Sequence, residues 1–258
     1  MGLDPVRLFS GLDLAPGRGL VVAVSGGGDS LALLLLLKDF LARCASPARL
    51  LAVTVDHRLR PDSAAEAEKA AALCRSLGVE HRTVAWEGGK PKTGLMAAAR
   101  EARYDLLANA AERFGADVLL TGHTLDDQAE TAAMRAARGD GSGLAGMARA
   151  TLFDGRDWIA RPLLEVRRQA LRDFLAGRGV AWIDDPSNEN PAYERVRVRS
   201  GLGEAEVEAF ASKAREAGKA RAALASEAAV LLDRFVTRPV PGLFRIDPEL
   251  FREARRDT

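Results

Sequence analysis

"VVAVSGGGDSLALLLL", residues 21–36, sets three glycines, an aspartate and two serines between a β-branched run and a leucine run. The first run fits a short buried strand and the second a buried helix, so the glycines mark a strand-to-helix turn. Such a turn presents backbone N–H groups at the positive end of a helix, where residues without a Cβ let an anion come close. Ser25, Gly26, Gly27, Gly28, Asp29 and Ser30 thus form a candidate phosphate cradle. The common phosphate-loop motif requires a lysine before its final Ser or Thr, and here that position holds Asp29. A carboxylate beside phosphates repels them unless a cation intervenes, so Asp29 is the candidate ligand of a Mg2+ ion bridging acid and polyphosphate.

Strand patterns at 20–24, 50–55, 79–86 and 117–121 each precede a helical pattern. The second helix is predicted to open with a capping box, Ser63 with Glu66, and to end at Gly78. A third helix is predicted between Gly94 and Gly115, with Met96, Ala99, Leu106, Leu107, Ala110 and Phe114 on one apolar face. Alternation of this kind predicts an α/β fold, a doubly wound parallel sheet that takes ligands at the C-terminal ends of its strands. The fourth strand is expected beside the first, across the point where winding reverses. After residue 147 the pattern predicts a hairpin turning at Asp154 and Gly155, a helix over 165–177, a polar loop at 184–191 and a long helix over 203–234. A short strand and helix close the chain. The expected division is a catalytic unit, 1–202, and a small helical C-terminal appendage, 203–258.

The 258 residues carry 37 Lys and Arg against 36 Asp and Glu, so RNA contact would need a local basic patch. Cys44 and Cys74 lack metal or redox spacing and read as small core residues of a reducing compartment. The N-terminal stretch lacks a signal-peptide pattern, and the longest apolar run, 31–37, falls well short of the roughly 18 residues of a membrane span. A cytoplasmic protein is expected.

A second constellation follows the fourth strand in "TGHTLDDQAETAAMRAARGDG", residues 121–141. If a helix begins at His123, then His123, Asp127 and Glu130 share one face, opposite the glycine turn across the crevice. Carboxylates there suit a second metal or an ammonium group. Asp126 reads as a solvated acid at a helix start, favoured by the dipole. Gly141, Gly143 and Gly146 match G-x-G-x-x-G but follow a helical pattern rather than a strand, which leaves a loop over the site as the better reading.

Ser25–Ser30 resembles the SGGxDS signature of the PP-loop ATP pyrophosphatase superfamily. The G-H-x-x-D-D-Q-x-E-T run, with "VDHRLRPDS" from Val55, "AREARY" from Ala99, "RPLL" from Arg161 and "DDPSNENPAYERVRVR" from Asp184, is similar to the tRNA(Ile)-lysidine synthetase family. The resemblance spans residues 21–199. It implies an ATP- and Mg2+-dependent ligase that adenylates C2 of the wobble cytidine of tRNA(Ile) bearing a CAU anticodon. L-lysine then displaces AMP. It implies that His123, Asp127 and Glu130 serve lysine recognition and catalysis, that Arg103 lies near the reacting base, and that Asp56 and His57 lie near the adenosine. His57 equally reads as a residue ordering the following loop.

Arg195, Arg197 and Arg199 alternate in "YERVRVRS" and form a basic stripe if extended, or wrap partly round a helix. The resemblance assigns this stretch to tRNA; spacing alone fits a solvated face as well. Three other readings stand beside the main one. A tRNA sulfur transferase of the 2-thiocytidine type would normally use paired cysteines, an ATP-binding module would lack turnover, and a small-molecule amide synthetase would need no RNA.

Overall fold

A computed structural model of the protein describes residues 3–12, 18–139, 142–184, 190–240 and 242–253. A six-stranded sheet organises the first two-thirds of the chain. The strands are β1 (Gly19–Ala23), β2 (Arg49–Asp56), β3 (Glu80–Ala85), β4 (Ala116–Leu120), β5 (Ala150–Phe153) and β6 (Asp157–Ala160), and their order is β3-β2-β1-β4-β6-β5. All neighbours are parallel except the antiparallel hairpin β5–β6. As expected, β4 lies beside β1, and the strand order reverses between them. The hairpin extends this same sheet, because β6 pairs in parallel with β4. Its turn runs through Asp154 and Gly155, both at positive φ, as the sequence indicated.

Helices α1 (Pro5–Phe9), α2 (Gly28–Arg43), α3 (Ser63–Ser76) and α6 (Arg168–Ala176) contribute to one face of the sheet, where the leucines of α2 meet Leu20, Val22 and Leu120. The central helix is apolar almost all round because sheet, α1 and α6 surround it. Helix α4 (Leu95–Phe114) covers the other face through Tyr104, Leu107, Ala111 and Phe114. Met96, expected on that apolar face, is 59% exposed, since the first turn of α4 runs past the sheet. Cys74 is buried in the first core, whereas Cys44 is exposed at the C-cap of α2, contrary to expectation.

The predicted capping box of α3 does not form. Asp62 is the N-cap without a side-chain bond, and Glu66 instead takes a 2.7 Å hydrogen bond from Arg60. Helix α5 (Leu125–Ala137) carries a capping box instead. Helix α7 (Glu194–Gly201) leads into α8 (Glu204–Phe235), whose first half packs Val207 and Ala211 against Leu125 and Ala129 of α5. A two-stranded hairpin, β7 (Val236–Val240) with β8 (Leu243–Ile246), and the short α9 (Leu250–Glu253) follow. Among the described residues, no helix is long and apolar enough to cross a membrane.

Candidate active site

The glycine turn is folded onto itself by its two serines. Ser30 Oγ donates to the Gly27 carbonyl at 2.9 Å and accepts the Ser25 N–H at 3.2 Å. Gly26 sits at φ 84°, and a Cβ there would stand 2.6 Å from Ile183 Cδ1, so the resting fold itself requires this glycine. Gly28 differs, because a Cβ there would meet nothing nearer than the Trp182 ring at 3.5 Å, an ordinary contact. Packing does not explain its missing side chain. The first-turn amides of Gly28, Asp29 and Ser30 have no carbonyl within α2 to bond. They form the anion-seeking end of the helix. Segment 180–183, which the sequence did not single out, clamps the turn: the Ile183 N–H donates to the Gly26 carbonyl at 2.9 Å.

Opposite this turn, α5 starts at Leu125 with Thr124 as N-cap. Thr124 Oγ1 accepts the Asp127 N–H at 3.3 Å, and Asp127 Oδ2 accepts from the Thr124 N–H at 2.8 Å and hydroxyl at 2.9 Å. His123 therefore precedes the helix, so the three-residue helical face expected from spacing is two residues, Asp127 and Glu130. Both are buried. The His123 ring shares a 2.9 Å hydrogen bond between Nδ1 and Thr121 Oγ1. Gly122 brings the two motifs together. A Cβ there would lie 3.0 Å from the Asp29 carbonyl, so the end of β4 packs against the first turn of α2.

Arg168, at the first residue of α6, spans the crevice. Its Nε donates to Asp29 Oδ2 at 3.0 Å, and its terminal nitrogens reach Asp127 Oδ1 at 3.0 Å and Glu130 Oε1 at 3.4 Å. Asp126 is no solvated acid: it accepts the Arg168 N–H at 2.7 Å and so anchors that helix start. Arg195 donates to Glu130 Oε2 at 2.7 Å and to Asp127 Oδ1 at 3.1 Å, while Arg199 Nε reaches Glu130 Oε1 at 2.7 Å. The "RVRVR" stretch is helical. Arg195 and Arg199, four residues apart, point into the acid cluster, and Arg197 turns away to the Pro191 and Ala192 carbonyls. Sequence reading passed over Arg168 and took Asp126 for a solvated acid. The available signal was two cations, Arg167 and Arg168, at a helix N-terminus, where the dipole disfavours them.

Burial and charge set the protonation of this cluster. Burial pulls the His123 pKa down to about 3, with Arg103, Arg161 and Arg100 adding to the effect and Asp127 opposing it. The imidazole is neutral at neutral pH. For Asp127, burial is outweighed by Arg168, Arg195 and His123, which hold its carboxyl below the usual range. For Asp29 burial wins over Arg168 and raises the pKa. Asp29 Oδ1 has no hydrogen-bond partner among the described residues, and no group of three or more metal-ligand side chains occurs among them. One carboxylate oxygen at the head of a phosphate cradle fits Mg2+, which uses one or two carboxylates and completes its shell with phosphate oxygens and water.

Asp56 and His57 stand at the end of β2, the strand next to β1. Asp56 Oδ1 accepts the Arg58 N–H at 2.8 Å, which shapes the turn. His57 lies edge-on to Trp86, 6.2 Å between centroids, and its Nδ1 is buried without a partner. Burial and the charge of Arg103 lower its pKa. Arg103 is half-buried, and its charge acts on both histidines. Gly141 lies outside the described residues. The end of that stretch is fixed to α5, where the Gln128 side chain bonds both the Met147 N–H (2.7 Å) and carbonyl (2.8 Å). Beside Glu130 a cleft of about 210 Å³ opens between α5, α6, α7 and α8, lined by Asp126, Arg168, Arg199 and Glu204 among others.

A PP-loop domain model matches residues 7–206. The tRNA(Ile)-lysidine synthase of Mesorhizobium japonicum is 53% identical over 253 residues, covering 95% of this chain and 55% of that protein. That of Brucella ovis is 51% identical over 225 residues, 86% of this chain and 50% of the relative. The chain thus spans about half the length of the curated relatives it matches. Among solved structures, a U34-tRNA thiolase from Methanococcus maripaludis superposes with a TM-score of 0.70 at 18% identity, covering 84% of this chain and 77% of that one, a likeness of fold alone. With a serine-stapled glycine turn on a doubly wound sheet and a family match across most of its length, the chain belongs to the PP-loop domain family.

Proposed function

We propose that this protein is an ATP-dependent tRNA-modifying ligase. It adenylates C2 of the wobble cytidine of tRNA(Ile) with a CAU anticodon and attaches lysine there to form lysidine, releasing AMP and pyrophosphate. The observation that carries the reading is the contact of the two motifs, Gly122 against Asp29 with Arg168 bridging Asp29 to Asp127 and Glu130. The name shared by the relatives supplies the substrate class.

In this reading the amides of Gly26 to Ser30 hold the phosphates, and Asp56 and His57 border the adenosine. Asp29 would hold Mg2+, which supplies charge neutralisation to the polyphosphate when bound. The cytidine O2 bonds to the α-phosphorus as pyrophosphate leaves, and the lysine ε-nitrogen then bonds to C2 as the bond to the AMP oxygen breaks. The ε-ammonium gives its proton to solvent before the nitrogen attacks, neutral His123 accepts a hydrogen bond from that nitrogen, and Arg103 lies near the base. The arginines explain how one crevice serves both signs. Arg168, Arg195 and Arg199 turn toward incoming phosphates, which frees Asp127 and Glu130 for the ε-ammonium. The cleft beside Glu130, lined by both acids and arginines, suits a zwitterionic amino acid. Sulfur transfer lacks support in the cysteines, since burial pushes the Cys74 thiol up to about 11 and Cys44 lies apart at the end of α2.

The test supplies ATP, Mg2+, labelled lysine and tRNA(Ile) with a CAU anticodon. Label in the tRNA and tRNA-dependent AMP release are expected. AMP release that is indifferent to tRNA favours a small-molecule synthetase, and no label with any tRNA overturns the reading.

A further inference from the structure

One side chain joins the glycine turn to the acids of α5. Arg168 gives its Nε to Asp29 and its two terminal nitrogens to Asp127 and Glu130, and this side chain is only 16% exposed. Solvent therefore screens the three contacts little. Arg195 and Arg199 also grip the α5 acids, but neither bonds Asp29, and both side chains are more open to water, at 35% and 36%. They hold one half of the crevice, whereas Arg168 holds both.

The backbone beneath Arg168 is fixed. Asp126 accepts its N–H at 2.7 Å, and Leu171 and Leu175 bury α6 in the core beside α2, so the part free to turn is the long side chain and not the helix. A guanidinium is planar, with its donors set in a rigid fork. Turning Nε away from Asp29 therefore also shifts the terminal nitrogens that face Asp127 and Glu130. The three contacts break together.

Each ligand of the reaction proposed above needs a carboxylate that Arg168 occupies. A magnesium nucleotide needs Asp29, and the ammonium of lysine needs Asp127 and Glu130. Whichever binds first has to dislodge the guanidinium, and the second finds it already dislodged. A polyphosphate also favours the move, because its oxygens accept paired bonds from the displaced fork, whereas an ammonium only repels it. The nucleotide is thus the ligand that opens the crevice.

We propose that Arg168 is an interlock between the two half-sites: it masks the acids of α5 from lysine until nucleotide at the glycine turn draws it away, so that the two ligands bind with positive cooperativity. This rests on the ligase reading above and makes Arg168 a positioning residue. Coupling of this kind is reciprocal, each ligand tightening the other by the same factor.

The test is calorimetric titration of the full chain with L-lysine, with and without Mg2+ and α,β-methylene ATP, a nucleotide that cannot release pyrophosphate. Wild type is expected to bind lysine roughly tenfold more tightly with the analogue present, and the analogue roughly tenfold more tightly with lysine present. Arg168→Ala should bind lysine alone more tightly than wild type does, and the analogue should then improve lysine affinity by no more than about threefold. Arg168→Lys keeps the charge without the fork and should lose most of the coupling too, which covers the case of an alanine variant that does not fold. Arg199→Ala takes a cation from Glu130 without touching Asp29 and should keep the coupling. Four results overturn the proposal: equal lysine affinity of wild type with and without the analogue, coupling that survives whole in both Arg168 variants, coupling lost as fully in Arg199→Ala, or lysine bound by Arg168→Ala no more tightly than by wild type. Lysine that binds no form of the protein overturns the proposed reaction and the interlock with it. Lysine bound without coupling yet incorporated into tRNA overturns the interlock alone, and coupled binding with no label in tRNA overturns the reaction and leaves the interlock standing.

Discussion

The glycine turn and the acidic helix α5 face each other across one crevice, yet opposite means hold them. The turn is shaped within six residues, by two serine hydroxyls, one left-handed glycine and a single long-range clamp from Ile183. The acids are held from afar: the partners of Glu130 lie 38, 65 and 69 residues away along the chain. The turn is therefore shaped locally, whereas the acid–arginine knot ties distant parts of the fold together. A ligand entering the turn meets amides already waiting. One entering the knot has to displace bonds already made.

The sharpest way to break this comparison is to cut the knot. Glu130→Ala leaves Arg199 without its carboxylate and Arg195 with Asp127 alone, and because both arginines are partly exposed about 2–3 kcal/mol of stability should be lost in urea unfolding. A loss below 1 kcal/mol would mean that the knot is only a functional device. In the turn, two neighbouring glycines should part company. Gly26→Ala meets both the positive φ and Ile183, for about 2–3 kcal/mol of destabilisation, part of which Ile183→Ala returns. Gly28→Ala should leave unfolding within about 0.5 kcal/mol of wild type while weakening ATP binding at least about tenfold. Equal effects of the two would erase the distinction between a glycine for the fold and a glycine for the ligand.

Protonation sharpens the comparison further. With a folded pKa of about 3 against 6.5 unfolded, His123 gains its proton only on unfolding between those values. Stability should fall as pH drops from 6.5 toward 3, by at most about 1.4 kcal/mol per pH unit, and His123→Gln should flatten the slope of urea midpoint against pH. Asp127, held below its usual value of 3.8, contributes stability above that value and loses it as pH falls through the depressed folded pKa. The two contributions occupy different windows. The smallest effect separates the N-cap of α5 from the one the sequence predicted for α3: Thr124→Ala should cost about 1 kcal/mol and Ser63→Ala nearly nothing, since only the first makes a capping bond.

Most of the fold was legible because its signals are local. Four strands, their helices, the position of β4 beside β1 and the hairpin at Asp154 and Gly155 all follow from hydrophobic period and turn residues within short windows. The errors lie where a local pattern has a nearby competitor. Glu66 prefers Arg60 to its own helix start, and Met96 obeys the helical period but extends past the sheet that would cover it.

The site divides in the same way. By itself the sequence determined the glycine turn, the acids of α5 and their meeting at the strand ends, because each is a short run placed by a doubly wound topology. Only the tertiary structure decided which cations face those acids. Arg168, Arg195 and Arg199 were three among many arginines until helix starts and helical faces aimed them inward. Charge acts through space over distances that chain order does not encode, so partners in an ion cluster are chosen by packing.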